Sequence, residues 1–376
     1  MALLAMFKDR CELTVCHVNY HHRPTALRDE KLVRKYCQEN GIKCHVFNYK
    51  DRAGGNFQDK ARVFRYAAFK ECVLKDKLDG VLVGHHKDDL IETYFLQTQR
   101  KSNVTYWGLK ESTEIMDVKI YRPLLSYTKD DLLKYCLKNA IPYGIDESNL
   151  TNDYKRNLIR HTKIEKMSLK EKNEIIREIK DKNKAERILN REVKSFIGNS
   201  DHFDYEEFMS FKYLKKLIRT LTFNDLSDRH LDEIIKALKA KGNIELKIHN
   251  KFIFKEYGYI EVKDVPEDYS FTVKALEYKK YPCFTTSKKG DRFEGVTIKE
   301  DDYPLTIRNV RPHDFIKMRY GTKGINRFFI DHKISGYKRK IWPVLVNRKS
   351  EIILVPGIGC NIDHYSKKHN LYLKVR

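Results

Sequence analysis

Gly84-His85-His86-Lys87-Asp88-Asp89-Leu90-Ile91-Glu92-Thr93 is the stretch whose reading decides the fold. An apolar run, Leu78 to Val83, leads into it. Behind it Leu90, Ile91, Tyr94 and Phe95 recur at helical spacing. The pattern reads as strand, tight turn, helix. In an open parallel sheet, the turn at a strand's carboxyl end is where ligands sit. Two His and two Asp there are costly to place unless they bind something. One Asp suffices to cap the helix. The second, with Glu92 one turn on, suits Mg2+, which takes one or two carboxylates plus substrate phosphates. Either Asp88 or Asp89 could be that metal carboxylate. The plainer reading is that one Asp caps, the His pair packs and the rest is solvated.

The flanking chain repeats the same alternation. Leu13 to Val18 is β-rich. Arg28 to Asn40 is helical, with Leu32, Val33, Tyr36 and Cys37 on one face and Gly41 just past its end. Lys43 to Tyr49 is a second strand. Ala53-Gly54-Gly55 is a turn, and Asn56 can cap a helix running to about Lys77. Strand, helix, strand, helix, strand, helix argues for a parallel sheet with helices on both faces. Met1 to Phe7 is helix-like and apolar on nearly every side.

Further on, Arg122-Pro123-Leu124-Leu125 is extended. Thr128-Lys129-Asp130-Asp131 is close to a capping box for a helix ending near Asn139. An acidic, turn-rich segment, Asp146-Glu147-Ser148-Asn149, then runs into Lys155, Arg156, Arg160 and His161. Arg156 and Arg160 share a face if this segment is helical. A basic face beside an acidic site is what an enzyme handling polyphosphate needs; a solvated helix start has similar weight locally.

Lys163 to about Phe196 reads as a charged connecting helix or helical hairpin with a thin stripe through Ile175, Ile179, Ile188 and Leu189. Tyr205 to Leu221 and Asp228 to Ala240 are amphipathic helices, and Ile244 to Val262 looks like two short strands. In the last third, small strands are expected. There Arg308, Arg311, Arg319, Lys323 and Arg327 interleave with Phe315, Tyr320, Phe328 and Phe329. Basic and aromatic residues together suit RNA backbone contact and base stacking.

The formal net charge of +22 attracts polyanions, nucleic acid first. Compositional drift toward Lys is the competing explanation. The eight cysteines contain no Cys-x-x-Cys pair, which argues against a zinc ribbon, a paired redox site or a cysteine-held cluster. They read as reduced thiols of a cytoplasmic protein. No apolar run approaches membrane-spanning length, and Met1 to Phe7 lacks the flanks of a signal peptide.

In this order the motifs resemble the tRNA(Ile)-lysidine synthetases, RNA-modifying enzymes of the ATP-pyrophosphatase fold. The matching pieces are His17-Val18-Asn19 with Arg23-Pro24; Asn56 with Ala61-Arg62 and Arg65-Tyr66; His85 to Thr93; Arg122 to Leu125; Asp146 to Asn149; and Arg156 to His161. Phe328-Phe329-Ile330-Asp331, Trp342 to Leu345 and Val355 to Gly359 extend the match to the C-terminal part. The resemblance implies an α/β fold. Residues 1–163 would be the PP-loop ATPase-like catalytic domain, 164–264 a helical middle region with a short hairpin, and 265–376 a small α+β tRNA-binding domain. It implies ATP and Mg2+ as cofactors, and L-lysine and a CAU-anticodon tRNA(Ile) as substrates. ATP adenylates the C2 oxygen of the wobble cytidine, and the lysine ε-amine then displaces AMP. Asp88, Asp89 and Glu92 would be the catalytic carboxylates. His85, His86, Arg62 and Arg65 would line the nucleotide site, the two histidines shaping it rather than acting as bases. Arg156, Arg160, His161, Arg311, Arg319, Lys323 and Arg327 would contact tRNA. A homodimer is left open.

One departure stands out. The family's Ser-Gly-Gly-x-Asp-Ser loop precedes a helix beginning Met-Ala-Leu-Leu, and this sequence starts at Met1-Ala2-Leu3-Leu4. The expectation is a start assigned at an internal Met, with a fragment or a decayed paralogue as alternatives. As written, the chain is expected to bind ATP poorly and turn over little. A tRNA-binding protein without catalysis is the competing function. A thiolating or amidating relative of the same fold is a third, against which the lack of paired cysteines counts.

Overall fold

The computed structural model describes all residues except 22–23, 50–56, 101–103, 145–154 and 223–225. The expected turn at Ala53-Gly54-Gly55, the Asn56 cap, Arg23 and the Asp146 to Asn149 segment lie outside the described residues. The chain divides into two units, Met1–Asn190 and Arg191–Arg376.

In the first unit a short helix α1 (Ala2–Phe7) precedes β1 (Thr14–Asn19), α2 (Ala26–Glu39), β2 (Lys43–Asn48), α3 (Phe57–Asp76), β3 (Val81–Leu82) and α4 (Lys87–Gln99). The expected alternation is therefore present. Helix α2 ends as its sequence requires: Gly41 has φ +65°, and the amides of Gly41 and Ile42 bond the carbonyls of Gln38 and Cys37. Those are the two bonds of a Schellman stop, which needs a left-handed residue that glycine supplies without a Cβ clash.

Strands β1 and β2 pair in parallel. β3 pairs in parallel with β5 (Val118–Tyr121), which forms a hairpin with β4 (Ser112–Ile115) that the sequence reading did not anticipate. The two sheets are separate among the described residues. Between Thr14–His17 and Val81–His85 lies a cavity of about 870 Å3, also lined by Tyr66, Phe69, Cys72 and Tyr121. Tyr66, Phe69, Val118 and Ile120 form the adjoining core.

Helix α5 (Lys129–Lys138) opens with the expected capping box: Thr128 Oγ1 accepts from the amide of Asp131, whose carboxylate accepts from Thr128 N. α6 (Lys155–Thr162) and the long α7 (Leu169–Ile197) follow. α7 is one continuous helix rather than a hairpin. Ile179 on its stripe is buried and Ile188 is exposed.

In the second unit, β6 (His202–Asp204) leads into α8 (Tyr205–Ser210) and α9 (Leu214–Leu221), two helices where one was expected. At the break the Phe211 ring packs tilted against Phe196, with centroids 4.3 Å apart. Next come α10 (Asp228–Lys239) and β7 (Ile244–Ile248), β8 (Lys251–Glu256) and β9 (Tyr259–Asp264). The region 244–262 thus holds three strands instead of two. A tight turn at Gly258, φ +87°, lets β8 return as β9.

The remainder is the expected run of small strands, β10 (Ser270–Val273), β11 (Phe284–Ser287), β12 (Gly295–Val296), β13 (Leu305–Asn309), β14 (Phe315–Met318) and β15 (Gly321–Gly324), then helices α11 (Ile325–Asp331) and α12 (Gly336–Ile341), and finally β16 (Pro343–Val346), β17 (Ile352–Val355), β18 (Gly359–Cys360) and β19 (Leu371–Val375). Strands β10, β13, β16, β17 and β18 form a five-stranded sheet. Its β16 and β17 are buried at every position, the composition of a strand covered on both faces. Among the described residues no helix is long and apolar enough to cross a membrane.

Candidate active site

The turn after β3 brings the decisive stretch to the carboxyl end of a parallel strand. His86 stands at the N-cap of α4, and the Asp89 carboxylate accepts from its backbone amide at 2.9 Å. So Asp89 is the capping carboxylate, and its negative charge lies at the positive end of the helix. Asp88 and Glu92 are left for other partners. Both are buried, Glu92 completely. A buried carboxylate needs pairing to offset its desolvation.

Those partners come from far along the chain. Arg160 on α6 donates through Nη2 to Asp89 Oδ1 at 3.0 Å and to Glu92 Oε2 at 2.9 Å. Arg156, one turn earlier on the same face, pairs with Glu92 Oε1. Lys172 on α7 reaches Asp88 Oδ1 at 2.7 Å. The amide of Lys129, at the start of α5, donates to Asp88 Oδ2 at 3.0 Å. Three carboxylates and three cations are thus interlocked where α4, α5, α6 and α7 meet. Ile91, Ile159 and Ile164 pack as one apolar cluster on this side and fix the approach of α6 to α4.

The structure therefore brings Asp88, Asp89, Glu92, Arg156 and Arg160 together. His161 turns away: its Nδ1 lies 2.8 Å from Glu165. Arg62 and Arg65 lie over the Tyr66 ring, at 5.0 and 5.5 Å, and Arg65 and Tyr66 share the cavity wall with His85.

His85 is held by Arg122, whose Nε donates to its Nδ1 at 3.3 Å. Arg122 is itself buried and fixed by the carbonyl of Lys110 and the hydroxyl of Thr113. Burial pushes the His85 pKa down to about 4; Asp89 opposes that shift and Arg122, Arg65 and Arg156 add to it. His85 is consequently neutral at physiological pH.

Sequence reasoning assigned no role to Arg122 or Lys172. Arg122 lay inside a noted motif; Lys172 is one basic residue among many on a charged helix and carries no local signal.

Two polar atoms bear on whether a metal could be held here. Among the described residues Asp88 Oδ1 has an ion pair with Lys172 but no hydrogen bond, and the buried His86 Nδ1 has no hydrogen-bond partner, with Asp88 Oδ2 3.7 Å away. Asp89 is engaged by its cap and by Arg160. Asp88 Oδ1 could serve a hard cation only in place of Lys172. Among the described residues no group of three His, Cys, Asp or Glu forms a self-sufficient metal cage.

In the second unit the expected RNA-facing residues separate. Phe315 and Tyr320 are exposed, Tyr320 by 93%. Arg319 lies 5.5 Å from the Tyr320 ring. Lys323 sits over Phe328 at 5.3 Å, and Arg327 pairs with Asp331 at 3.1 Å. Phe328 and Phe329 are core residues instead, packed with Trp342 and Val355. Arg308 is buried and forks onto Asp314 at 2.7 and 3.0 Å, while the amide of Arg311 bonds the same carboxylate. Arg308 is thus a structural pair.

Comparison with known proteins identifies the family. The PP-loop domain family matches residues 1–167. A tRNA(Ile)-lysidine synthase of Mycoplasma mycoides is 30% identical over 92% of this chain and 90% of its own length. Proteins of the same name from Mycoplasmopsis pulmonis (33% identical, 70% of this chain and 94% of theirs) and Streptococcus mutans (28%, 93% and 83%) also match. A solved TILS C-terminal domain aligns over 28% of this chain and 98% of its own, at 19% identity and TM-score 0.23. The similarity to the Mycoplasma mycoides protein covers most of both chains, and this chain belongs to the tRNA(Ile)-lysidine synthase family.

Proposed function

We propose that this protein ligates L-lysine to C2 of the wobble cytidine of a CAU-anticodon tRNA(Ile), using ATP, in the cytoplasm. In the first step the cytidine O2 attacks the α-phosphate of ATP; the bond to pyrophosphate breaks and an O2-adenylated cytidine forms. In the second, the lysine ε-nitrogen bonds to C2, the C2–O bond breaks and AMP leaves. The amine gives up a proton to a neighbouring base.

The observation that carries this reading is the convergence of Asp89 and Glu92 on Arg160. A buried carboxylate pair suits an ammonium substrate, since it holds the amine close and can accept its proton. The guanidinium gives the pair a cation to rest on and can turn to an α-phosphate, which it contacts bidentately. Arg156, Arg62 and Arg65 add cations for phosphate, and His85 and His86 line the nucleotide site. Asp88 would hold Mg2+, whose chemistry when bound is to neutralise charge on the pyrophosphate.

For tRNA, the exposed cations Arg311, Arg319 and Arg327, with the half-buried Lys323, would meet the backbone. His161 would act beside the anticodon. Residues 1–163 would then be catalytic, 164–264 connecting and 265–376 tRNA-binding.

The test is incorporation of labelled lysine into a CAU-anticodon tRNA(Ile) transcript with ATP and Mg2+, against omission of each component. ATP-dependent label on that transcript, lost on changing the wobble cytidine to uridine, is the expected result. Tight tRNA binding with no label under any condition would replace the ligase by a non-catalytic tRNA-binding protein.

A further inference from the structure

We infer that Arg122 is a positioning residue that locks His85 in its Nε2–H tautomer, so that His85 serves as a fixed neutral donor to an uncharged acceptor on a nucleotide base. This rests on the reading that nucleotide and RNA meet at this site.

The argument begins with what an arginine can do. A guanidinium has five N–H donors and no acceptor. Its Nε is 3.3 Å from His85 Nδ1, so that nitrogen must present its lone pair. The ring's one hydrogen then lies on Nε2. Protonating Nδ1 would break the contact and set two cations face to face. The arrangement is anchored, because Arg122 is buried and tied to Lys110 O and Thr113 Oγ1 at 2.9 and 3.1 Å. Parallel pairing of β3 and β5 sets the spacing: Leu82 is opposite Tyr121 and the Val83 amide bonds the Tyr121 carbonyl, so Arg122 leaves β5 level with Val83 and its long side chain reaches His85, two residues further on.

His85 stands at the carboxyl end of β3, the position where open α/β sheets receive ligands. His85 lines the cavity together with Arg65. Among the described residues none accepts from its Nε2. For phosphate the site already has Arg156, Arg160 and Arg65, and a charged donor serves an anion better than a neutral one. Burying an arginine to keep an imidazole uncharged is costly. That cost is sensible where the acceptor is neutral, such as a base carbonyl oxygen or ring nitrogen, and where a mobile proton at that spot would interfere with the amine chemistry.

The test reads the tautomer directly. With 15N-histidine, two-bond 1H–15N correlation at pH 7 assigns the His85 nitrogens, a His85→Gln sample identifying the signals. Protonated Nε2 and bare Nδ1 are expected. In Arg122→Met, the bare Nδ1 signal should move toward the tautomer mixture of free imidazole; Thr113→Val, which loosens Arg122 without burying new charge, should move it part of the way if the first variant folds poorly. Protonated Nδ1, or a doubly protonated ring, in the unaltered protein overturns the inference whatever the enzyme's activity.

The ligand half is read by binding. His85→Gln, which keeps an N–H near the Nε2 position, should hold affinity within about threefold. His85→Leu should lose roughly tenfold, one hydrogen bond's worth, for ATP or for the tRNA(Ile) transcript. Which of the two weakens tells whether the acceptor is on adenine or on the RNA. Loss for neither ligand refutes the donor role while leaving the ligase reading intact; that reading fails only if no lysine is incorporated.

Discussion

Replacing Arg160 by Met should destabilise the first unit by about 3 kcal/mol, the lower end of the cost of removing one partner from a buried ion pair. The structure gives the reasons. The Arg160 side chain is 17% exposed and its two partners, Glu92 and Asp89, are 1% and 12% exposed. At an effective dielectric of about 20, two contacts near 3 Å are each worth roughly 5 kcal/mol in gross Coulomb energy. Most of that is returned to desolvation. The lower end of the range applies because Arg156 remains on Glu92 and the His86 amide remains on Asp89. For a unit of this size, about 3 kcal/mol corresponds to a midpoint lowered by roughly 6–12 °C.

The chain has two tryptophans, Trp107 and Trp342, one in each unit. A Trp342→Phe background therefore leaves Trp107 to report the first unit alone, which avoids treating the whole chain as two-state. Urea titrations of that background with and without Arg160→Met give the difference. Adding Glu92→Gln to Arg160→Met should cost less than the sum of the single changes by at least about 1 kcal/mol, because the orphaned charge is gone. The effect should persist in 0.5 M NaCl, since buried pairs are poorly screened. A loss under about 1 kcal/mol that vanishes with salt would mean the pair behaves as a surface bridge, and the account of a buried carboxylate cluster would fail.

Gly336→Ala places a Cβ 2.5 and 2.6 Å from two ring carbons of the buried Phe254; Trp342 fluorescence should show a loss of about 1–3 kcal/mol, and a gain, as expected for alanine at an open helical site, would refute the clash. Burial pushes the Asp302 carboxyl up, yet the hydrogen bonds from His364 and the Lys299 amide outweigh it and leave it below its ordinary value. A depressed carboxyl stabilises the fold above the unfolded pKa, near 4, and loses that contribution as pH falls through the folded value; Asp302→Asn should lower second-unit stability at pH 6 and flatten its acid slope, and an unchanged slope by Trp342 would count against the pair. Tyr320→Ala should weaken tRNA binding by about 1–3 kcal/mol if a base stacks there, with Tyr320→Phe near wild type; Arg319→Ala should reduce the salt slope of binding by about one. Equal affinities for all three variants in a filter assay would remove this hairpin from the tRNA surface.

What could be read from sequence follows a physical line. The Gly41 stop, the Thr128 box and the strand-turn-helix around Gly84 are written in neighbouring residues, because capping and turn chemistry act over three or four positions. So is the pairing of Arg156 with Arg160 on one helix face. The break at Phe211 is not; there the ring packs on the sequence-distant Phe196. Nor does local sequence distinguish Arg308, buried against Asp314, from Arg319, which stands beside an exposed Tyr320. Both are an arginine among aromatics, and only the sheet register says which faces inward.

The site divides along the same line. Its carboxylates lie within five residues and are legible, and one of them doubles as a helix cap for reasons internal to the turn. Their cations are spread from residue 156 to residue 172, and the partner of His85 is 37 positions downstream. The protonation state of His85 thus belongs to the pairing of β3 with β5 and to no motif. A substitution at Val81 or Ile120 that shifted this register, while sparing every residue of the decisive stretch, would separate Arg122 from His85 and release the imidazole to take either tautomer.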